Sequence, residues 1–245
     1  MSTSYQTFLD SLKDKLAPRY IAQGCHDLPH VMRMEKMYPE MANLIPGLHE
    51  EQYQITVWLH NLDRCAQFED AINQLTLPGV LRNMLLKSGR TSPFCEEIVT
   101  AVLEHSKFLD GPKDSIVMQG LRLADKWDRI GTLGGIAGFQ WLGCKLPAYD
   151  TDKPFGYGST AEGDLAKGGK GGYGTLYQGF YRILEWYPTF PLIRELVRLH
   201  PKRFKNFLFF VRSFAEEVSE AHHVPNTVED DIRRCLGEYY EYWLP

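Results

Sequence analysis

Cysteine is scarce and scattered in this chain of 245 residues. The chain has 5 cysteines, an odd number, and no two of them form a CxxC pair. They are Cys25, Cys65, Cys95, Cys144 and Cys235. This spacing argues against both a disulfide framework and a thiolate zinc site. Reduced thiols in the cytoplasm are therefore expected.

The sequence also has no long apolar run and no strong charge of one sign. No stretch approaches the ~18 uninterrupted apolar residues of a membrane-spanning helix. The opening residues, MSTSYQTFLDSLKDKL, lack the basic segment and apolar run of a secretory signal. The net charge of -4 and the pI near 6.1 give no overall basic field for a nucleic acid polymer. A small phosphorylated ligand remains possible, because a local basic pocket is enough to bind it.

Strand patterns are missing as well, and helical periodicity takes their place. Tyr5, Phe8, Leu9, Leu12 and Leu16 recur at steps of three and four residues, which places them on one face of a helix. The same reasoning predicts further helices at about 28–41, 50–64, 92–105, 113–130, 176–186, 191–199, 201–222 and 228–243. The sequence therefore predicts an all-α fold, which we expect to form a single domain over residues 1–245.

Glycine is concentrated in one segment, residues 145–174. The segment contains Gly156, Gly158, Gly163, Gly168, Gly169, Gly171, Gly172 and Gly174. Ordering so many glycines is entropically costly, so the segment is predicted to be a long mobile loop at the mouth of the site. It contains no GxxxxGK[ST] motif and follows no strand, so it is not a P-loop. A lid over a site and a plain insertion are equally compatible with it.

Histidine and aspartate recur at or near the ends of apolar helices. His26 and His30 are four residues apart, and His30 is expected just inside a helix and His26 just before it. His60 and His105 come late in apolar helices, and Asp125 lies in the middle of another. A lone histidine in such a place is usually a core residue, but a buried unpaired carboxylate costs several kcal/mol. Several of them together indicate a shared polar site, and imidazole and carboxylate are ordinary ligands of a divalent metal.

Four short motifs follow one another along the predicted helices. They are His30-Val31-Met32-Arg33-Met34, Leu59-His60-Asn61-Leu62-Asp63, Glu104-His105-Ser106 and Ala124-Asp125-Lys126-Trp127-Asp128. Their types and their order resemble those of HD-domain metal-dependent phosphohydrolases. Together with His26-Asp27 and Arg129-Ile130-Gly131, they resemble a bacterial subgroup that includes nucleotide pyrophosphohydrolases. The resemblance covers about residues 20–140. It implies an HD-like helical bundle with that motif core, the 145–174 loop and C-terminal helices at 175–243.

The resemblance also implies roles for individual residues. The metal ligands would be His30, His60, Asn61 and Asp125, for a divalent ion such as Mg, Mn, Fe, Ni or Co. The catalytic groups would be His105, Asp63 and Lys126, and the groups that hold phosphate would be Arg33, Arg64 and Lys107. Asn61 departs from the family, which has aspartate at this position. An amide oxygen can coordinate a cation, but it lacks the charge that offsets the desolvation of the metal.

Three functions follow from this pattern. The first is a metal-dependent phosphohydrolase acting on a nucleotide or another small phosphorylated molecule, in which Asp63 or Asp27 compensates for Asn61 or the metal is bound more weakly. The second is a catalytically impaired relative that binds a ligand or partner in the same pocket. The third, a di-iron oxygenase, needs further histidines between Asn61 and Asp125, where only His105 lies. The third is therefore the least supported.

Overall fold

The protein is described by a computed structural model that covers residues 5–21, 26–65, 76–86, 88–106, 114–142, 146–152, 154–155 and 174–244. Throughout these ranges the secondary structure is helical and no strand occurs, so the fold class is all-α, as predicted. Within the same part of the chain, no helix combines the length and the apolar character needed to cross a membrane. Most of the predicted 145–174 loop lies outside the described residues.

The α-helices are named here in chain order. They are α1 (Tyr5–Leu16), α2 (Leu28–Lys36), α3 (Tyr38–Leu44), α4 (Glu50–Leu59), α5 (Leu77–Leu86), α6 (Ser92–Glu104), α7 (Ile116–Arg129), α8 (Thr132–Leu142), α9 (Leu176–Thr189), α10 (Pro191–Leu199), α11 (Pro201–His222) and α12 (Val228–Leu236). Short 3-10 helices cover Ala17–Arg19, Leu62–Arg64 and Gly237–Trp243. The chain divides into two compact units, Met1–Asp125 and Lys126–Pro245, and the division falls within α7. The expected single domain stays a prediction.

In the first unit, α4 packs against most of its neighbours. It contacts α1, α2, α3 and α6, while α5 packs on α6. Almost every side chain in the second half of α4 is buried, because helices cover it on several sides; Tyr53, Ile55, Val57 and Leu59 have no exposed surface. Leu59 is the last residue of α4, so the side chains that follow it start from a rigid support.

In the second unit, aromatic side chains fill the spaces between helices. α9 packs on α8, α10 and α12, and α11 packs on α8, α10 and α12. The ring of Phe180 on α9 lies edge-on to Phe139 of α8 and to Phe210 of α11, with centroids 5.3 and 5.4 Å apart. Such edge-to-face pairs add to the stabilisation that burial of their area gives.

Several predicted boundaries were wrong. The helix predicted over 28–41 is two helices, α2 and α3, and Pro39 falls in the first turn of the second, where its missing N–H costs nothing. The helix predicted over 50–64 ends at Leu59, and that predicted over 228–243 ends at Leu236; a 3-10 helix follows each. The N-cap of α6 is Thr91, one residue before the predicted start of this helix. Helices α5 and α8 were not predicted at all.

Candidate metal centre

Three helices of the first unit bring together the polar side chains of the candidate site. His30 lies in the first turn of α2, where Pro29 is tolerated and where the Asp27 carboxylate caps the helix by accepting from the His30 backbone N–H at 2.9 Å. His60 follows the last residue of α4, and Asp125 lies on α7. As the sequence predicts, His26 precedes the helix and His30 is inside it.

A backbone carbonyl holds each of two histidines at the end of a helix. The Nδ1 of His60 donates to the Val57 carbonyl at 2.6 Å, and the Nδ1 of His105 donates to the Val102 carbonyl at 2.6 Å. The two rings lie edge to face, with centroids 5.3 Å apart. The hydrogen bond from Nδ1 fixes the tautomer of each imidazole, and in His60 it leaves Nε2 as the atom that can bind a metal ion.

The ligand atoms of His30, His60 and Asp125 converge. All three residues are buried, and their ligand atoms lie within 4.8 Å of one another. The Nε2 atoms of His30 and His60 are 3.2 Å apart, and His30 Nε2 is 3.4 Å from Asp125 Oδ1. The convergence that the sequence predicts for these three residues is therefore present.

Burial keeps the His60 imidazole neutral. Loss of solvent lowers the pKa of His60 well below its ordinary value, and the neighbouring His30 and His105 rings lower the same pKa further. Asp125 and the Val57 carbonyl act in the opposite direction, with smaller effects. A neutral imidazole is the form that binds a metal ion.

Asn61 also points into this cluster. It is 1% exposed, and its Nδ2 lies 2.7 Å from the Nε2 of His60. Its Oδ1 is buried, and none of the described residues donates a hydrogen bond to it. An amide oxygen buried without a donor costs about 1–3 kcal/mol, so this oxygen is poised for a partner.

The donor set fits a divalent metal ion. Metal–ligand bonds of about 2.0–2.2 Å place two ligands of one ion roughly 3 to 4 Å apart, which the separations of 3.2 and 3.4 Å match. Two imidazole nitrogens and the Asp125 carboxylate are typical ligands, and the Asn61 Oδ1 can serve as a fourth. The set carries only one formal negative charge, because position 61 is an amide.

A second layer of polar groups surrounds the His30 side of the cluster. The His26 ring is buried and lies 6.5 Å, centroid to centroid, from that of His30. The Arg64 guanidinium donates to the His26 Nε2. Asp63 is more exposed, at 43%, and its carboxylate is 3.9 Å from the Arg64 Nε. Arg64, the last residue of the 3-10 helix Leu62–Arg64, therefore extends from the buried His26 to the protein surface.

The remaining predicted residues are placed differently. Arg33 is half-buried on α2, and Lys107 lies outside the described residues. Lys126 is buried in the second unit, and its Nζ lies 4.6 Å from the centroid of the Phe190 ring, a cation–π contact. The catalytic and phosphate-binding roles expected for these residues, and for His105, Asp63 and Arg64, stay predictions.

Sequence reasoning did not find the groups that orient the site. The carbonyls of Val57 and Val102 each lie three residues before the histidine that they hold, and a histidine closing an apolar helix is the signal for such a contact. Sequence reasoning also gave no role to His26, which the structure places against Arg64.

Comparisons with known proteins give the fold. No protein-family model and no curated protein matches the chain. Among solved structures, a Lactobacillus plantarum structural-genomics target, LpR71, is 19% identical over 90% of this chain and 100% of its own, with a TM-score of 0.65. Bacillus subtilis YpgQ is 15% identical over 88% of this chain and 97% of its own, with a TM-score of 0.58. Its complex with ADP is also 15% identical, covers 85% and 97% of the two chains, and has a TM-score of 0.56.

Proposed function

We propose that this protein is a metal-dependent phosphohydrolase of the HD-domain type that acts on a nucleotide or another small phosphorylated molecule. The observation that carries the proposal is the buried convergence of His30, His60 and Asp125. Two imidazoles and a carboxylate whose ligand atoms lie this close together are a typical ligand set of a divalent cation. The Asn61 Oδ1 is proposed as the fourth ligand, in the place where the family has an aspartate.

A phosphorylated ligand is supported from two directions. YpgQ, a protein of similar fold, has been solved in complex with ADP. In this chain, Arg64 is the last residue of the 3-10 helix Leu62–Arg64; its side chain is 34% exposed and contacts the buried His26. A guanidinium in that position can bind phosphate oxygens through two parallel hydrogen bonds. Arg33 and Lys107 are proposed as further phosphate contacts.

The residues of the chain have distinct tasks in this proposal. A divalent cation would polarise a phosphoryl oxygen and supply a water of lowered pKa. His30, His60 and Asp125 would hold it, and burial keeps the His60 imidazole neutral. His105, whose Nδ1 is committed to the Val102 carbonyl, is half-buried, and its task in this proposal is to orient the substrate or to transfer a proton.

The test measures metal binding and hydrolysis on the same proteins. Calorimetry with Mn²⁺ on the natural protein, His60→Ala and Asp125→Ala should show affinity falling by at least about 10-fold in both variants, the size typical of losing an important metal-site contact. His49→Ala is the matched control, since His49 is exposed at the opposite end of α4. A nucleotide panel with several divalent ions then tests turnover. Unchanged affinity in His60→Ala, with the fold intact, would place the metal elsewhere.

Asn61 favours a second candidate, a protein that binds a nucleotide in the same pocket without hydrolysing it. Its amide satisfies the His60 Nε2 without any cation, so the pocket can persist empty. This candidate predicts that ADP binds to the natural protein in EDTA and that no nucleotide in the panel is turned over with any divalent ion. ADP binding that requires Mn²⁺, together with metal-dependent turnover, would exclude it.

A further inference from the structure

The His60 Nε2 needs a hydrogen-bond donor whenever no cation is present. Its Nδ1 proton is committed to the Val57 carbonyl, so the Nε2 carries a lone pair on a side chain that is only 1% exposed. His30 Nε2, at 3.2 Å, is also 3.4 Å from the Asp125 carboxylate, which attracts any proton that His30 carries there. The closest contact to the His60 lone pair is the Asn61 amide at 2.7 Å.

That lone pair fixes the orientation of the Asn61 amide. With Nδ2 turned toward His60, a donor meets an acceptor; with Oδ1 turned toward it, two acceptors would face each other at 2.7 Å. The satisfied orientation leaves the Oδ1 buried, with no donor among the described residues. The amide therefore fills the coordination position at His60 and keeps its own ligand atom turned away.

We propose that Asn61 is a latch on the metal centre, an inference that rests on the metal site in the proposed function. In the closed state, the Asn61 Nδ2 donates to the Nε2 of His60. A half-turn of the amide about its Cβ–Cγ bond opens the latch, because amide oxygen and nitrogen have nearly the same shape and exchange places. The Oδ1 then faces the cation that takes the His60 lone pair.

An aspartate at position 61 cannot work in this way. A carboxylate has no proton to donate at neutral pH, so it would repel both the His60 lone pair and the Asp125 carboxylate when no cation is bound. Asparagine therefore lets the site stay folded without metal and makes the first step of binding the loss of one hydrogen bond. The latch predicts that metal content sets the stability of an Asn61→Asp variant far more than that of the natural protein.

Calorimetry with Mn²⁺ at pH 7.5 and thermal unfolding, in EDTA and in Mn²⁺, test the latch on the full chain. The variants are Asn61→Leu, which keeps the volume without donor or acceptor, and Asn61→Asp. Asn43→Asp is the matched control, since Asn43 is exposed on α3. We expect Mn²⁺ affinity to fall about 10-fold in Asn61→Leu and to rise at least about 10-fold in Asn61→Asp. The unfolding midpoint of Asn61→Asp should lie below the natural one in EDTA and above it in Mn²⁺.

The outcomes separate the latch from the metal centre. If Asn61→Leu binds Mn²⁺ as tightly as the natural protein or more tightly, the Oδ1 is not a ligand and the latch is refuted while the centre stands. If only Asn61→Asp binds Mn²⁺, the latch does not open. If no protein in the series binds Mn²⁺, the metal centre itself is wrong. Should Asn61→Leu not fold, ¹⁵N NMR of the natural protein decides: side-chain amide signals of Asn61 that do not shift with saturating Zn²⁺ refute the latch.

Discussion

Asp231 is a buried carboxyl group whose ionisation opposes folding at neutral pH. It lies in the first turn of α12, is 9% exposed, and its Oδ2 is buried with no hydrogen-bond donor among the described residues. Burial raises the pKa of Asp231 from 3.8 to about 6, although the Tyr181 hydroxyl and Arg234 each favour the charged form. The native carboxyl therefore keeps its proton over a pH range in which the unfolded one has lost it.

The sign and size of the effect follow from this difference in pKa. Between pH 3.8 and about 6 the native state binds more protons than the unfolded state, so the free energy of unfolding falls as pH rises through that window and stays lower above it. A difference of about 2 pKa units corresponds to at most about 3 kcal/mol. Asp231→Asn removes the ionisation, so it should stabilise the protein by about 1–3 kcal/mol at pH 7.5 and have little effect at pH 4.

Thermal unfolding of Asp231→Asn at pH 4 and pH 7.5 measures this prediction. A gain of about 1–3 kcal/mol raises the unfolding midpoint by about 2 to 6 °C in a chain of this size. Asp230→Asn is the matched control, because the Asp230 carboxylate is 75% exposed and paired with Arg233. This variant should change the free energy of unfolding by no more than about 0.5 kcal/mol. The reasoning fails if Asp231→Asn is destabilising at pH 7.5, or if its effect is the same at both pH values.

Two further predictions concern the turn after α7. Gly131 has a φ of +116°, and an added Cβ would lie 3.0 Å from the Arg203 Cγ. Gly131→Ala should therefore lower the free energy of unfolding, measured by chemical denaturation, by about 1–3 kcal/mol. Gly79 lies on α5 with open space around it, so Gly79→Ala should leave the free energy of unfolding unchanged or raise it by up to about 1 kcal/mol. Equal effects of the two glycine substitutions would contradict the reasoning. Arg203 donates to the backbone carbonyls of Ile130 and Asp128 at 2.5 and 3.0 Å, and its guanidinium lies 4.7 Å from the centroid of the Trp127 ring. Arg203→Ala should therefore lower the free energy of unfolding by about 2 kcal/mol. The exposed Lys202→Ala is its control, and a loss of the same size there would show that Arg203 makes no special contribution.

The sequence predicts helices best where their ends carry a specific signal. Pro201 begins α11 and an uninterrupted apolar stripe runs through it, so its bounds were predicted to the residue. Helix α8, TLGGIAGFQWL, was missed because its three glycines each lower helix propensity by about 1 kcal/mol. Packing overrides that penalty: an added Cβ at Gly135 would lie 2.9 Å from the Phe210 ring, so the two helices approach closely only because this residue has no side chain.

Some features of the candidate site could likewise be predicted from the sequence and others could not. The convergence of His30, His60 and Asp125 could be predicted, since the order of short motifs along helices carries that information. The orientation of the Asn61 amide could not, because it depends on which nitrogen of His60 holds the proton. That in turn depends on a backbone carbonyl three residues earlier, and every residue type supplies one.

The residue at position 61 therefore discriminates between the two proposed functions. With an aspartate, the cluster would place two carboxylates beside two imidazoles, an arrangement that a divalent cation is needed to balance. With asparagine, one carboxylate remains, His30 approaches it at 3.4 Å, and the amide satisfies His60. The cluster is then internally paired, so its survival does not by itself require a metal. A divalent cation bound there would leave one net positive charge in a buried pocket, and an anionic ligand such as a phosphate would offset it. Both proposed functions thus share a phosphate-binding pocket and differ in whether the Asn61 amide turns.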